Sequence, residues 1–227
     1  MTVATDDDAD VVILVPILSR AHRVAPLMES VRATCGASVL FLTSPGDSAV
    51  HRAVAAAGAA QLVVAQQRYG DYARKINAGI RHTNQPLIFT GADDLEFRPG
   101  WLAAARNNLV DGIGVVGTND LGSPRVMRGE HATHFLFQRW YVEEYGTIDE
   151  PGKAMHEGYP HEYVDDEVVG TAIHRGMWAF ALDSHVKHCH PDWDASVPRD
   201  AMYAAQPIRM RQGRPIFQRR RRLWASA

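Results

Sequence analysis

Pro86-Leu-Ile-Phe-Thr-Gly-Ala-Asp-Asp-Leu-Glu-Phe-Arg-Pro-Gly-Trp-Leu102 is the stretch around which the chain is organised. Leu87-Ile-Phe89 has the length and composition of a buried strand, and it ends in the adjacent carboxylates Asp93 and Asp94, with Glu96 close behind. In open α/β sheets, ligands bind beyond the carboxyl ends of the strands, and paired carboxylates there suit a hard divalent cation held against a phosphate. The same acids would also serve as ordinary caps of the turn and of the helix that Pro99-Gly-Trp101 begins. The rest of the chain has to decide between the two.

Upstream, strand and helix signals alternate. Val11-Val-Ile-Leu-Val15 is a continuous apolar run ending at Pro16, as expected of a central parallel strand covered on both faces. The spacing of Val24, Leu27, Met28 and Val31 predicts a helix over 22–34, closed by Gly36. Strands follow at Val39–Leu42 and Gln61–Ala65. The turn Ser44-Pro-Gly-Asp47 leads into an Ala-rich helix stopped by Gly58, and a further helix runs from Asp71 to His82. Such alternation predicts an α/β fold with a doubly wound, mostly parallel sheet. Neither GxGxxG nor GxxxxGK[ST] follows any strand, which argues against a dinucleotide dehydrogenase or a P-loop NTPase.

Downstream, Ile113–Val116 reads as a strand, Phe135–Tyr145 as a helix and Pro151–Pro160 as a loop long enough to form a lid or acceptor loop. Tyr163-Val-Asp-Asp-Glu167 opens another helix ending near Gly176, so Asp165, Asp166 and Glu167 sit at its amino terminus. One acid there is an ordinary cap, whereas three beside a loop exceed what a cap needs. Eight of eleven histidines fall between His131 and His190. On a strand, His188 and His190 would share a face and both could reach one metal ion or phosphate.

With 227 residues, 46% of them hydrophobic, the chain can bury one large core. No apolar run approaches membrane-spanning length and no basic leader is visible, so the expected location is cytoplasmic. Cys35 and Cys189 are too few for a disulfide framework or a cysteine metal site. The formal net charge is −2, but residues 199–227 carry eight Arg against Asp200 alone, while residues 143–167 carry nine carboxylates against Lys153. The acidic segment suits a basic partner, a metal ion or a cation-assisted site. The basic tail, from Arg209 to Arg222 with Phe217 and Trp224 interleaved, suits an anionic partner, either nucleic acid or a membrane surface, or a solubilising terminus.

Taken together and in this order, these clusters resemble a GT-A fold glycosyltransferase of the family 2 type, over roughly Val11 to Pro191. Val12–Pro16 is similar to the family's first strand with its closing proline. Asp47 sits where the family has a turn aspartate. Tyr69–Gly79 resembles the segment leading to the metal motif, Ala92–Leu102 the DXD region, Val164–Val168 the catalytic acidic motif, and His188 the late metal or diphosphate histidine.

The resemblance implies a GT-A domain over 1–198, with a nucleotide half at about 11–98 and an acceptor half at about 99–198, followed by an extension over 199–227. It implies Mn²⁺ or Mg²⁺ held by Asp94, Asp93 and His188, with His190 as substitute. It also implies a nucleotide diphosphate sugar donor, in first place a UDP-sugar, contacted by Pro16, Asp47, Arg74, Lys75 and Asp93, and an inverting transfer with Asp165, or next to it Asp166, as base. The acceptor stays open among DNA, protein, glycan and lipid. Ala92 stands where many relatives carry the first acid of DXD, Leu42 and Thr43 where relatives often read the base, and Thr171 in place of an arginine. Two other classes fit some of these features: a non-catalytic GT-A-like module that binds nucleic acid, and a nucleotidyltransferase.

Overall fold

The computed structural model describes residues 6–67 and 71–225, so Tyr69 and Gly70 of the segment leading to the metal motif lie outside the described residues. In chain order the elements are β1 (Val11–Pro16), α1 (Val24–Thr34), β2 (Ser38–Thr43), α2 (Ser48–Ala56), β3 (Ala60–Val63), α3 (Tyr72–His82), β4 (Leu87–Thr90), β5 (Leu95–Phe97) and α4 (Trp101–Arg106). They continue with β6 (Val115–Asn119), α5 (Pro124–Met127), β7 (Phe135–Gln138), α6 (Arg139–Glu144), α7 (Val164–His174), β8 (Trp178–His188), α8 (Ala201–Ala204) and α9 (Gln206–Arg220).

The strands form one sheet in the order β3-β2-β1-β4-β7-β6-β8-β5. β1 is central in its half, parallel to β2 on one side and β4 on the other, and every residue in it is buried. Successive side chains alternate between two cores. Val11, Ile13 and Val15 face the layer that holds α1 and α2, while Val12 and Leu14 face the layer that holds α3 and α7. Gly79 lets α3 approach the sheet, since a Cβ there would meet Leu14 and Leu42 side-chain carbons at 3.0 Å.

The structure departs from the expected elements at two places. Residues 135–138 form β7, a strand lying antiparallel between β4 and β6, and the helix begins only at Arg139. Phe135, Leu136 and Phe137 are all fully buried because the strand is covered on both faces, and such a run has no period to separate it from a buried helix. Gly36 does not cap α1, which instead ends with Cys35 in extended conformation. The 151–160 segment is a loop, as expected, with Met155 and Tyr159 buried within it and Asn77 pinning it by donating to the Met155 carbonyl at 2.8 Å.

The basic tail packs onto the acidic segment of its own chain. Arg209, Gly213 and Arg220 turn inward at helical spacing along α9. Arg209 pairs with Glu162 at 2.8 Å, and Arg220 lies between Glu167 at 2.7 Å and Asp149 at 2.6 Å. Phe217 stacks on Tyr163 with centroids 5.3 Å apart, and Trp224 closes over Gly170 of α7. Arg220 and Glu167 are both buried, so removing one partner leaves an uncompensated buried charge. Arg220→Ala is expected to lose about 3–5 kcal/mol in urea denaturation, with Arg220→Lys recovering part of it.

Candidate active site

The carboxyl ends of β1 and β4, the end of β8 and the amino end of α7 surround a cavity of about 300 Å³. It is lined by Pro16, Lys75, Asp93, Asp94, Asp165, Asp166, His188 and His190, so eight of the ten candidate residues meet there. Asp47 and Arg74 do not line it. Asp47 caps α2, accepting from Val50 N–H at 3.3 Å, and takes the Ser19 N–H at 2.7 Å. Arg74 donates to Asp71 at 2.9 Å and to the Ala65 carbonyl.

Backbone pairing sets Asp94 beside His188. β5 runs antiparallel to β8 with Leu95 opposite His188, and the Cys189 N–H donates to the Asp94 carbonyl at 2.8 Å. His188 Nε2 then lies 3.4 Å from Asp94 Oδ1. His190 is not on the strand; β8 ends at His188, and His190 follows in a turn with its ring 5.1 Å from that of His188.

Arg20, in the loop after β1, is the main residue absent from the sequence reading. Its Nη1 donates to Asp93 Oδ1 at 2.9 Å and Asp94 Oδ2 at 3.2 Å, while Nε and Nη2 clasp Asp200 at 2.7 and 2.9 Å. Tyr203 donates to Asp94 Oδ2 at 2.7 Å, and the Arg20 guanidinium lies 4.3 Å from its ring centre. Burial and the neighbouring Asp94 charge push Asp93 up to about 7, against the pull of Arg20. Burial works the same way on Asp94, but His188, Tyr203 and Arg20 outweigh it and hold Asp94 well below the ordinary range.

Asp94 Oδ1 is buried and makes no hydrogen bond of good geometry, although an imidazole nitrogen faces it. Asp94 Oδ1 and His188 Nε2, 3.4 Å apart, are an oxygen and a nitrogen donor of the kind Mn²⁺ or Mg²⁺ takes, while Arg20 holds Asp93 Oδ1 and Asp94 Oδ2.

Across the cavity, Asp165 Oδ2 meets His131 Nε2 at 3.1 Å, and Asp165 Oδ1 accepts the Asp166 N–H at 3.0 Å. Burial raises the Asp165 carboxyl, yet the His131 hydrogen bond and charge prevail and hold it below the ordinary value. Asp166 is raised by burial and by Asp165, and it accepts from Arg125 at 3.0 Å. Among the described residues, the nitrogen of His131 and oxygens of Asp165 and Asp166 form the one group of three with donor atoms within 4.8 Å of one another, and Arg125 pairs with Asp166 there as Arg20 does with Asp93 and Asp94.

Lys75 is 1% exposed and donates to the Ile17 carbonyl at 2.9 Å, so it braces the loop after β1. Burial pushes its amine down to about 8, despite Asp71, Asp47 and Asp93.

No family model and no curated protein matches the sequence. Solved structures do match. The mannosyltransferase PcManGT from Pyrobaculum calidifontis, in complex with GDP-Man and Mn²⁺, aligns with TM-score 0.66 and 17% identity over 94% of this chain and 69% of that one. Glucosyl-3-phosphoglycerate synthase from Mycobacterium tuberculosis, in complex with Mn²⁺, UDP and glucosyl-3-phosphoglycerate, aligns with TM-score 0.65 and 12% identity over 92% and 79%. The chain therefore has the GT-A fold. Among the described residues no helix is long and apolar enough to cross a membrane.

Lys75 supplies a test of the burial argument. Between pH 8 and 10.5 the unfolded chain keeps the lysine proton that the folded state has released, so stability rises with pH in that window. Relative to Lys75→Met, the wild type is expected to gain about 2–3 kcal/mol from pH 7.5 to 10.5, measured by urea denaturation.

Proposed function

We propose that this chain is a metal-assisted glycosyltransferase that moves a sugar from a nucleotide diphosphate sugar to an acceptor hydroxyl with inversion at the anomeric carbon. The observation that carries this reading is the single cavity with Asp94 and His188 on one wall and Asp165 on the other, at the strand ends of a GT-A sheet. The structural neighbours were solved with GDP-Man or UDP and Mn²⁺, which supports a donor of the same class.

Asp94 and His188 would hold the ion, with Asp93 beside them. Bound there, Mn²⁺ or Mg²⁺ supplies Lewis-acid stabilisation of charge on the departing diphosphate. The chain's own residues do the rest. Pro16 to Arg20 form the rim at the end of β1, held from below by Lys75 and from the side by Arg20. The donor lies along this rim with its diphosphate toward Asp93 and Asp94. Asp165 takes the acceptor hydroxyl proton as the new C–O bond forms and the bond to the diphosphate oxygen breaks. His131 orients that carboxylate through Oδ2 and keeps it ionised. Asp166, engaged by Arg125, is second in line for the role.

Two experiments test the assignment. Thermal melting with UDP, GDP, dTDP and CDP, each with and without Mn²⁺, is expected to give a metal-dependent shift with one nucleotide that Asp94→Ala abolishes. No shift with any nucleotide would remove the donor site. In the second, Asp165→Asn is expected to lower kcat by about 10²–10⁴-fold while the nucleotide-induced shift is kept. Turnover at the wild-type rate would disqualify Asp165 as base.

A further inference from the structure

We infer that the acceptor is an uncharged saccharide seated against Trp193, and that the cavity turns anionic acceptors away. This deepens the transferase reading above and rests on it.

Charge makes the first half of the case. The carboxylates Asp93, Asp94, Glu162, Asp165 and Asp166 line the cavity with Asp200 behind them, six acids against the four cations Arg20, Lys75, Arg209 and, on Asp166 from outside the lining, Arg125. Each of these cations already has partners. Arg20 is spread over three carboxylates, Lys75 donates to the Ile17 carbonyl, and Arg209 binds Glu162 and the Met202 carbonyl at 2.8 Å. A divalent ion and a nucleotide diphosphate roughly cancel each other, so the loaded site keeps its surplus of negative charge. In a partly desolvated cavity that surplus repels a phosphate or carboxylate on the incoming molecule. Arg211 and Arg214 are exposed on α9, do not line the cavity and so cannot balance it.

Shape and chemistry make the second half. Trp193 lines the cavity with 39% of its surface exposed, and it is fixed in place. Its ring is tilted over His190 at 4.9 Å and packs at an angle to His188 at 6.1 Å. Behind it lies Gly122, where a Cβ would come within 2.2 Å of the indole. Asp120 holds that turn, accepting from Gly122 N–H at 3.0 Å and Ser123 N–H at 2.9 Å. A pyranose offers an apolar C–H face and a rim of hydroxyl donors. An exposed indole in a cavity that also holds carboxylate acceptors complements both, as small-ligand sites pair aromatic surface with a few polar groups.

The test compares acceptors with Mn²⁺ and either UDP-glucose or GDP-mannose. Release of nucleoside diphosphate is followed with methyl α-glucoside, methyl α-mannoside and maltose, then with glucose 6-phosphate, glucuronate and 3-phosphoglycerate. Saturation-transfer NMR on the same compounds reports binding without turnover. At least one neutral sugar is expected to accelerate release, with kcat/KM at least about tenfold above any anionic compound, and to receive saturation at its ring C–H protons. Trp193→Ala is expected to raise the acceptor KM by about tenfold, within the range of one aromatic contact. Trp193→Phe should restore much of that loss, and Gly122→Ala should reproduce part of it by displacing the indole. Faster transfer to an anionic acceptor, or an unchanged KM in Trp193→Ala, would overturn the inference. Donor binding and hydrolysis without response to any neutral sugar would overturn it too, while leaving a transferase. Failure of every nucleotide to bind in Mn²⁺ would overturn both.

Discussion

Two adjacent carboxylates, Asp93 and Asp94, are 7% and 5% exposed, and the arrangement around the cavity follows from having to neutralise them. Charges taken out of water are strongly unfavourable unless paired and hydrogen-bonded. Arg20 meets the requirement because its planar fork can serve several acceptors at once, which a lysine ammonium on a flexible stem does less well. In doing so it joins three stretches that are distant in sequence: the loop after β1, the loop after β4 and the start of the tail at Asp200. Asp94 Oδ1, facing His188, is a buried acceptor without a hydrogen bond, so it points where a cation is useful.

Opposite charge also explains the tail. The acidic segment 143–167 and the arginines after 199 are each unbalanced alone, and they compensate each other through Arg209 with Glu162 and Arg220 with Glu167 and Asp149. This docking brings Tyr203, Met202, Gln206 and Met210 to the wall of the cavity, so the site is completed by residues beyond the portion that resembles the glycosyltransferase family. It also commits Trp224 and Phe217 to packing on α7 and Tyr163, which removes the aromatic platform that would have stacked bases. The arginines left exposed, such as Arg211, Arg214 and Arg219, form a solvated surface on α9.

Most of the parallel half was legible because each strand there is a short apolar run closed by a turn residue, and each helix has a clear period. The loops after β4 and at the start of α7 were legible because acids crowd where ordinary capping needs one. β7 was not, since a strand buried on both faces has no alternation, and that single misreading hid two site residues. As β7 runs antiparallel, its amino end lies at the carboxyl ends of β1 and β4, which carries His131 and His134 to the site. Arg20 was hidden for a different reason. Nothing near it in sequence is acidic, and its three carboxylates lie more than seventy residues away.

The three acids that open α7 show how one sequence signal divides into separate roles. Successive residues on a helix are about 100° apart, so Asp165, Asp166 and Glu167 cannot all face one ligand. Glu167 turns inward, accepting from Tyr159 at 2.8 Å and pairing with Arg220, and thereby anchors the tail. Asp166 faces Arg125 at the rim. Asp165 alone combines cavity exposure with a buried histidine behind it. The positive end of the helix dipole and His131 both favour its ionised form. A carboxylate held in this way is always available but intrinsically weak as a base. In the transfer proposed above it would suit a displacement in which the hydroxyl proton leaves as the new bond forms, when the oxygen's own acidity has risen, and would not suit a mechanism that needed a free alkoxide beforehand.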